Sequence, residues 1–121
     1  MSSLSPSKPV IDAFAQALET GPVVMLNLLK FKRGGGSKDY AAYAKGFESL
    51  LQKAGGRFIY MGRAAERLVG HEDWDAVALV EYPSRKAFAD VMNSPEYAKI
   101  APLREHGLER TVLYATDPRS R

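Results

Sequence analysis

The chain has 121 residues, 45% of them hydrophobic, enough for one domain around one core and too few to require a second. Cysteine is absent, which excludes disulfides, thiolate catalysis, iron–sulfur clusters and cysteine-ligated zinc together. The net charge of +3 is scattered rather than gathered on one face, so no nucleic-acid partner is expected from it.

The opening residues lack the apolar stretch of a secretory signal. The longest apolar run, 22–29, is interrupted by Asn27 and falls far short of the ~20 residues that a membrane-spanning helix needs. A cytoplasmic location without membrane contact is the resulting expectation. Residues 9–18 place Val10, Ile11, Phe14, Ala17 and Leu18 at helical spacing before Gly21 and Pro22 stop the pattern. Residues 23–31 are apolar and β-favouring, and predict a central strand buried on both faces. Gly34, Gly35 and Gly36 follow, flanked by Lys30, Lys32, Arg33 and Lys38, and read as a solvated loop in preference to an anion site. Ser37 is the predicted N-cap of a helix whose Tyr40, Tyr43, Ala44, Phe47, Leu50 and Leu51 follow amphipathic spacing up to Gly55 and Gly56.

Residues 57–69 predict a strand with Phe58, Tyr60 and Gly62 on one side and Ile59 and Met61 on the other. After a turn at 70–73, residues 74–82 predict its hairpin partner, with Trp74, Ala76, Ala78, Val80 and Tyr82 opposite Asp75, Val77, Leu79 and Glu81. Pro83 closes that strand, Ser84 caps a helix reaching Met92, and Ser94, Pro95 and Glu96 begin a short further helical piece holding Tyr97 and Ile100. Residues 108–115 predict the last strand, and the polar tail is expected to fray.

This order predicts an α+β fold of ferredoxin-like βαββαβ type, a four-stranded antiparallel sheet with both main helices on one face and an extra N-terminal helix. Residues 1–20 are the helical extension, 21–116 the ferredoxin-like α+β barrel domain and 117–121 a flexible tail. The second sheet face, read as carrying Met61, Val77, Leu79 and Leu113, would be an apolar patch without cover. A second copy is the expected cover, which makes the protein a homodimer through that open face.

The runs Val24 to Phe31, Gly55-Gly56, Trp74 to Ser84 with its Glu81-Tyr82-Pro83-Ser84, and Met92 to Tyr97 with its Ser94-Pro95-Glu96-Tyr97, then Arg104, stand in an order that resembles the family called domain of unknown function 1330. The resemblance runs from Gly21 to about Ala115 and leaves the first helix outside. It implies a dimeric α+β barrel, two ferredoxin-like units with their sheets laid together, and it attaches no reaction. Related barrels include cofactor-independent monooxygenases and isomerase-like, chlorite dismutase-like and haem-degrading proteins, so the scaffold does not fix the function. Haem-degrading members hold iron through a helical histidine, and residues 84–93 have none, so that activity is not carried over.

Asn27 interrupts an apolar strand, where an unsatisfied amide costs about 1–3 kcal/mol, so a hydrogen-bonding partner or a ligand is expected beside it. Tyr60 and Tyr97 are the chosen pocket-lining tyrosines, Trp74 joins them, and Arg104 suits a two-pronged carboxylate contact. Asn27, Tyr60, Trp74, Tyr97 and Arg104 are therefore the candidate ligand-binding residues. His106 and Glu81 are candidate acid–base groups, each with a blander reading as a helix-end cap and a surface ion pair. His71 reads as an exposed turn residue. The two histidines have no ligand-pair spacing, so no metal is expected, and no nucleotide-binding glycine motif is present, so no cofactor is expected. The leading reading is a pocket between sheet and helices for a modest aromatic or carboxylate-bearing molecule, with any chemistry being cofactor-free monooxygenase-like or isomerase-like. The rival is a non-catalytic dimeric binding or interaction module, and a weaker third is anion or nucleic-acid binding at the Lys30 to Lys38 loop.

Overall fold

The computed structural model describes residues 4–17 and 21–118. In chain order it contains α1 (Lys8–Ala15), β1 (Val23–Phe31), α2 (Gly36–Lys53), β2 (Arg57–Arg63), β3 (Ala76–Tyr82), α3 (Arg85–Met92), α4 (Pro95–Gly107) and β4 (Leu108–Thr116). The strands form one antiparallel sheet in the order β2-β3-β1-β4, with Leu26 opposite Leu79 on one side and Tyr114 on the other. This is the ferredoxin-like arrangement that two split βαβ units produce. Helices α2 and α4 pack together, and α1 lies against α3. No helix among the described residues is long and apolar enough to cross a membrane.

Alternation along the strands decides which side is core. Val23, Met25, Asn27 and Leu29 of β1 and Ala78, Val80 and Tyr82 of β3 are buried, and the apolar ones meet Tyr40, Tyr43, Phe47 and Leu51 of α2 with Phe88 and Tyr97 of α3 and α4. The intervening Val24, Leu26 and Leu28 are only half-buried, so β1 is covered on one face rather than two. The open face carries these three with Val77 and Leu79 of β3, Tyr60 of β2, and Val112 and Tyr114 of β4. Met61 and Leu113 are not part of it. A bulge between Phe58 and Tyr60 puts Tyr60 opposite Leu79 and Met61 opposite the buried Ala78, which reverses the parity expected of β2 beyond Phe58. Leu113 sits opposite Asn27 and so faces the helices.

Several boundaries differ from expectation. Helix α1 ends at Ala15, and Leu18 lies outside the described residues. Strand β2 stops at Arg63 and β3 starts at Ala76, leaving 64–75 as a loop closed by Ala64 N–H donating to Asp75 O at 2.9 Å. Residues 64–68 lack the β-branched and aromatic side chains that would extend a strand. The expected short helical piece is instead the 13-residue α4, which continues through Pro102 because its packing on α2 outweighs the hydrogen bond lost there. Of the tail, Asp117 pairs with Arg85 at 2.7 Å, while 119–121 lie outside the described residues.

Helix α2 begins at Gly36 with Gly35 as N-cap in a left-handed conformation (φ +113°), and Ser37 lies inside the helix. The reason is a backbone contact. A Cβ on Gly36 would stand 2.5 Å from the Gly107 carbonyl oxygen, and one on Gly107 would stand 2.7 Å from that of Gly36. This approach joins the start of α2 to the end of α4, the two helices that carry Tyr40 and Arg104. Gly36→Ala is expected to cost about 1–3 kcal/mol through the overpacking it forces, seen as a lowered midpoint of thermal unfolding.

Candidate functional site

A cavity of about 40 Å³ lies between the helix-side face of the sheet and the helices. β1 presents Asn27, whose backbone register puts it in the middle of the sheet between Ala78 and Leu113. Residues Tyr40 and Tyr43 come from adjacent turns of one face of α2. Tyr97 and Arg104 come from α4, two helical turns apart and therefore on one stripe. Tyr82, Phe47 and Phe88 complete an aromatic wall.

Arg104 is the decisive side chain. It is 4% exposed, and among the described residues no carboxylate pairs with it. One guanidinium nitrogen, Nη1, donates to the Leu4 carbonyl and to Ser5 Oγ at 3.4 Å, and the charge lies beside Tyr40. A buried cation without a counter-ion is costly, and an incoming anion would relieve that cost. Asn27 is 8% exposed, and its one hydrogen bond, Nδ2 to Met25 O at 3.4 Å, is long. Its carboxamide oxygen accepts nothing from the described residues. The Tyr43 and Tyr97 hydroxyls are 3.0 Å apart, so one donates to the other and one hydrogen remains for a third group. The cavity is thus rich in donors and contains no Asp, Glu or His among its lining residues.

Burial raises the phenols of Tyr40 and Tyr82, and raises Tyr43 well above the ordinary value, with Arg104 opposing the rise in each case. Below the ordinary phenol value of 10.0 both folded and unfolded chains hold these groups neutral, and their contribution to stability is intact. Above it the unfolded chain ionises first, and stability falls as pH climbs toward the folded-state values. Urea midpoints are expected to stay level from neutral pH to about pH 9 and to drop steadily above about pH 10.

Of the five candidate ligand-binding residues, Asn27, Tyr97 and Arg104 line this cavity, whereas Tyr60 and Trp74 do not. Tyr60 is 54% exposed on the open sheet face, turned there by the bulge. Trp74 lies at the end of the 64–75 loop with the Arg110 guanidinium 4.7 Å from its ring centre. His106 is exposed in the last turn of α4, and His71 is exposed in the loop. Glu81 pairs with Arg57 at 2.8 Å. Reading the residues singly missed Tyr40, Tyr43 and Tyr82, although the i, i+3 spacing of the first two already put them on one helix face. Among the described residues no three His, Asp or Glu side chains converge as metal ligands would. A wider depression of about 790 Å³ opens between α2 and β2 beside Met61 and shares Tyr40 and Ala44 with the inner cavity.

The chain is similar along the whole length of both proteins to RPA0582, a protein of unknown function from Rhodopseudomonas palustris, at 28% identity and a TM-score of 0.90. That similarity includes the N-terminal helix. SnoaB, a cofactor-independent oxygenase from Streptomyces nogalater, is similar at 15% identity and a TM-score of 0.61, over 84% of this chain and 97% of that one. A dimeric protein of unknown function with a ferredoxin-like fold from Bacteroides fragilis is similar at 14% identity and a TM-score of 0.53, over 81% and 97%. These last two likenesses establish the fold. No curated protein matches the chain. The family described as Domain of unknown function (DUF1330) matches residues 35–117, beginning after β1 rather than at Gly21, and the chain belongs to that family.

Proposed function

We propose that this protein is a homodimer that binds a modest aromatic or carboxylate-bearing molecule in the Arg104 cavity of each protomer, in the cytoplasm. The observation that carries the reading is the buried Arg104, which no carboxylate among the described residues pairs with, beside the half-satisfied Asn27. The aromatic wall supplies apolar contact for a ring, and the donors supply orientation. Binding is favoured over acid–base turnover, because the lining residues offer no carboxylate or imidazole to take a proton. Where chemistry occurs, it is cofactor-free and draws on the phenols and the ligand itself; the likeness to a cofactor-independent oxygenase supports this as a scaffold precedent. Residues 21–116 form the barrel domain in this reading, with 1–20 as an extension and 117–121 as a tail.

The dimer is supported by the apolar open face of the sheet and by the likeness to a dimeric protein. The ligand reading is tested by Asn27→Leu with benzoate as probe in a calorimetric titration. The variant is expected to lose about tenfold in affinity while its thermal midpoint holds or rises, since leucine packs an apolar strand better. Unchanged benzoate affinity would overturn the reading and favour the purely structural role.

A further inference from the structure

The cavity is too small for the ligand that its chemistry suits. About 40 Å³ admits a water molecule or a few, whereas sites for aromatic ligands span roughly 300–1,000 Å³. A wall must therefore move. Most of the walls are strands and helices, and one is not: residues 4–6, an irregular segment with a bend ahead of α1 in which all three residues are half-buried and Leu4 packs on the margin of the core cluster. This strap is held by Arg104 Nη1 donating to the Leu4 carbonyl and to Ser5 Oγ, and by the Ser5 hydroxyl donating to Glu105 Oε2 at 2.6 Å. Pro6 lines the cavity itself, and Ser7 then caps α1.

Two oxygens of the strap thus share one guanidinium nitrogen, Nη1, that a two-pronged carboxylate contact would claim. A guanidinium prefers an ionised acceptor, because charge-assisted hydrogen bonds are roughly twice as strong as neutral ones. We infer that residues 4–6 are a built-in competitor of the site, and that a carboxylate ligand binds by taking Arg104 from the Leu4 carbonyl and the Ser5 hydroxyl and expelling the strap. This rests on the reading of the Arg104 cavity as a carboxylate site. It adds that the empty site is closed, that the ligand class is a monocarboxylate with a flat apolar body, and that affinity is set in part by how firmly the strap is tied.

The experiment titrates benzoate, with benzamide as uncharged control, into the full-length protein, Ser5→Ala and Arg104→Gln. It also follows amide hydrogen exchange in residues 4–15 with and without benzoate. Ser5→Ala removes one contact to Arg104 and the contact to Glu105 and leaves the pocket walls intact. It is expected to bind benzoate about tenfold more tightly than the unaltered chain. Saturating benzoate is expected to speed exchange in residues 4–11, including the Ile11 amide that bonds Ser7 O at 2.9 Å. Arg104-dependent benzoate binding with neither effect overturns the strap inference and leaves the carboxylate site standing. Benzoate binding that Arg104→Gln does not weaken, or that benzamide matches, overturns the site reading and with it the inference. Absence of binding to both the unaltered chain and Ser5→Ala overturns both as well. Circular dichroism of each variant separates a binding loss from a folding loss.

Discussion

Arg104→Met is expected to weaken benzoate binding by about a hundredfold or more while the chain still folds. Removing a charged partner from a buried contact costs 2–5 kcal/mol in typical cases, which is the source of that factor. The cost to folding is expected to be far smaller. Arg104 is buried and no carboxylate among the described residues pairs with it, so its removal orphans no charge among them, and methionine refills much of the volume of the aliphatic stem. Arg104→Lys is expected to recover part of the affinity, since an ammonium keeps the charge and loses the two-pronged fork. If both variants bind as the unaltered protein does, the guanidinium is structural.

The second large effect concerns the sheet. Leu79→Asp is expected to convert the proposed dimer to a monomer at micromolar concentration, measured by sedimentation velocity, with the fold kept. Leu79 stands in the middle of the open face, opposite Leu26 on one side and Tyr60 on the other, and the helix-side core is on the reverse of its strand. In a two-fold interface one substitution acts twice, and each buried unpaired carboxylate costs several kcal/mol, so association weakens by about a thousandfold at least. An unaltered chain that sediments as a monomer at that concentration contradicts the dimer.

Much of the fold was legible because period and punctuation agreed. Tyr40, Tyr43, Phe47 and Leu51 repeat at helical spacing, Pro83 and Ser84 mark the end of one element and the cap of the next, and the Ser84 and Ser94 side chains accept from Ala87 and Tyr97 backbone amides as caps do. What was not legible depends on contacts remote in sequence. The bulge that turns Tyr60 away from the helices leaves no local mark, and a one-residue slip changes the face of every side chain beyond it. Helix α4 continues past Pro102 because α2 lies against it, so local sequence does not show the element that positions Arg104. That Asn27 lines the cavity was legible for the reason that makes it costly, a polar side chain in an apolar strand. The strap was not, because nothing in Leu4, Ser5 and Pro6 points to an arginine about 100 positions away.

The central claim is that the Arg104 cavity is a carboxylate site, and its most direct test is the crystal structure of the benzoate complex. Benzoate is expected between the sheet and α4, its carboxylate on the Arg104 guanidinium, its ring against Tyr43 and Tyr97, and residues 4–6 displaced. Benzoate lodged instead in the depression beside Met61 or on the sheet face, with Arg104 still bound to the Leu4 carbonyl, would contradict it.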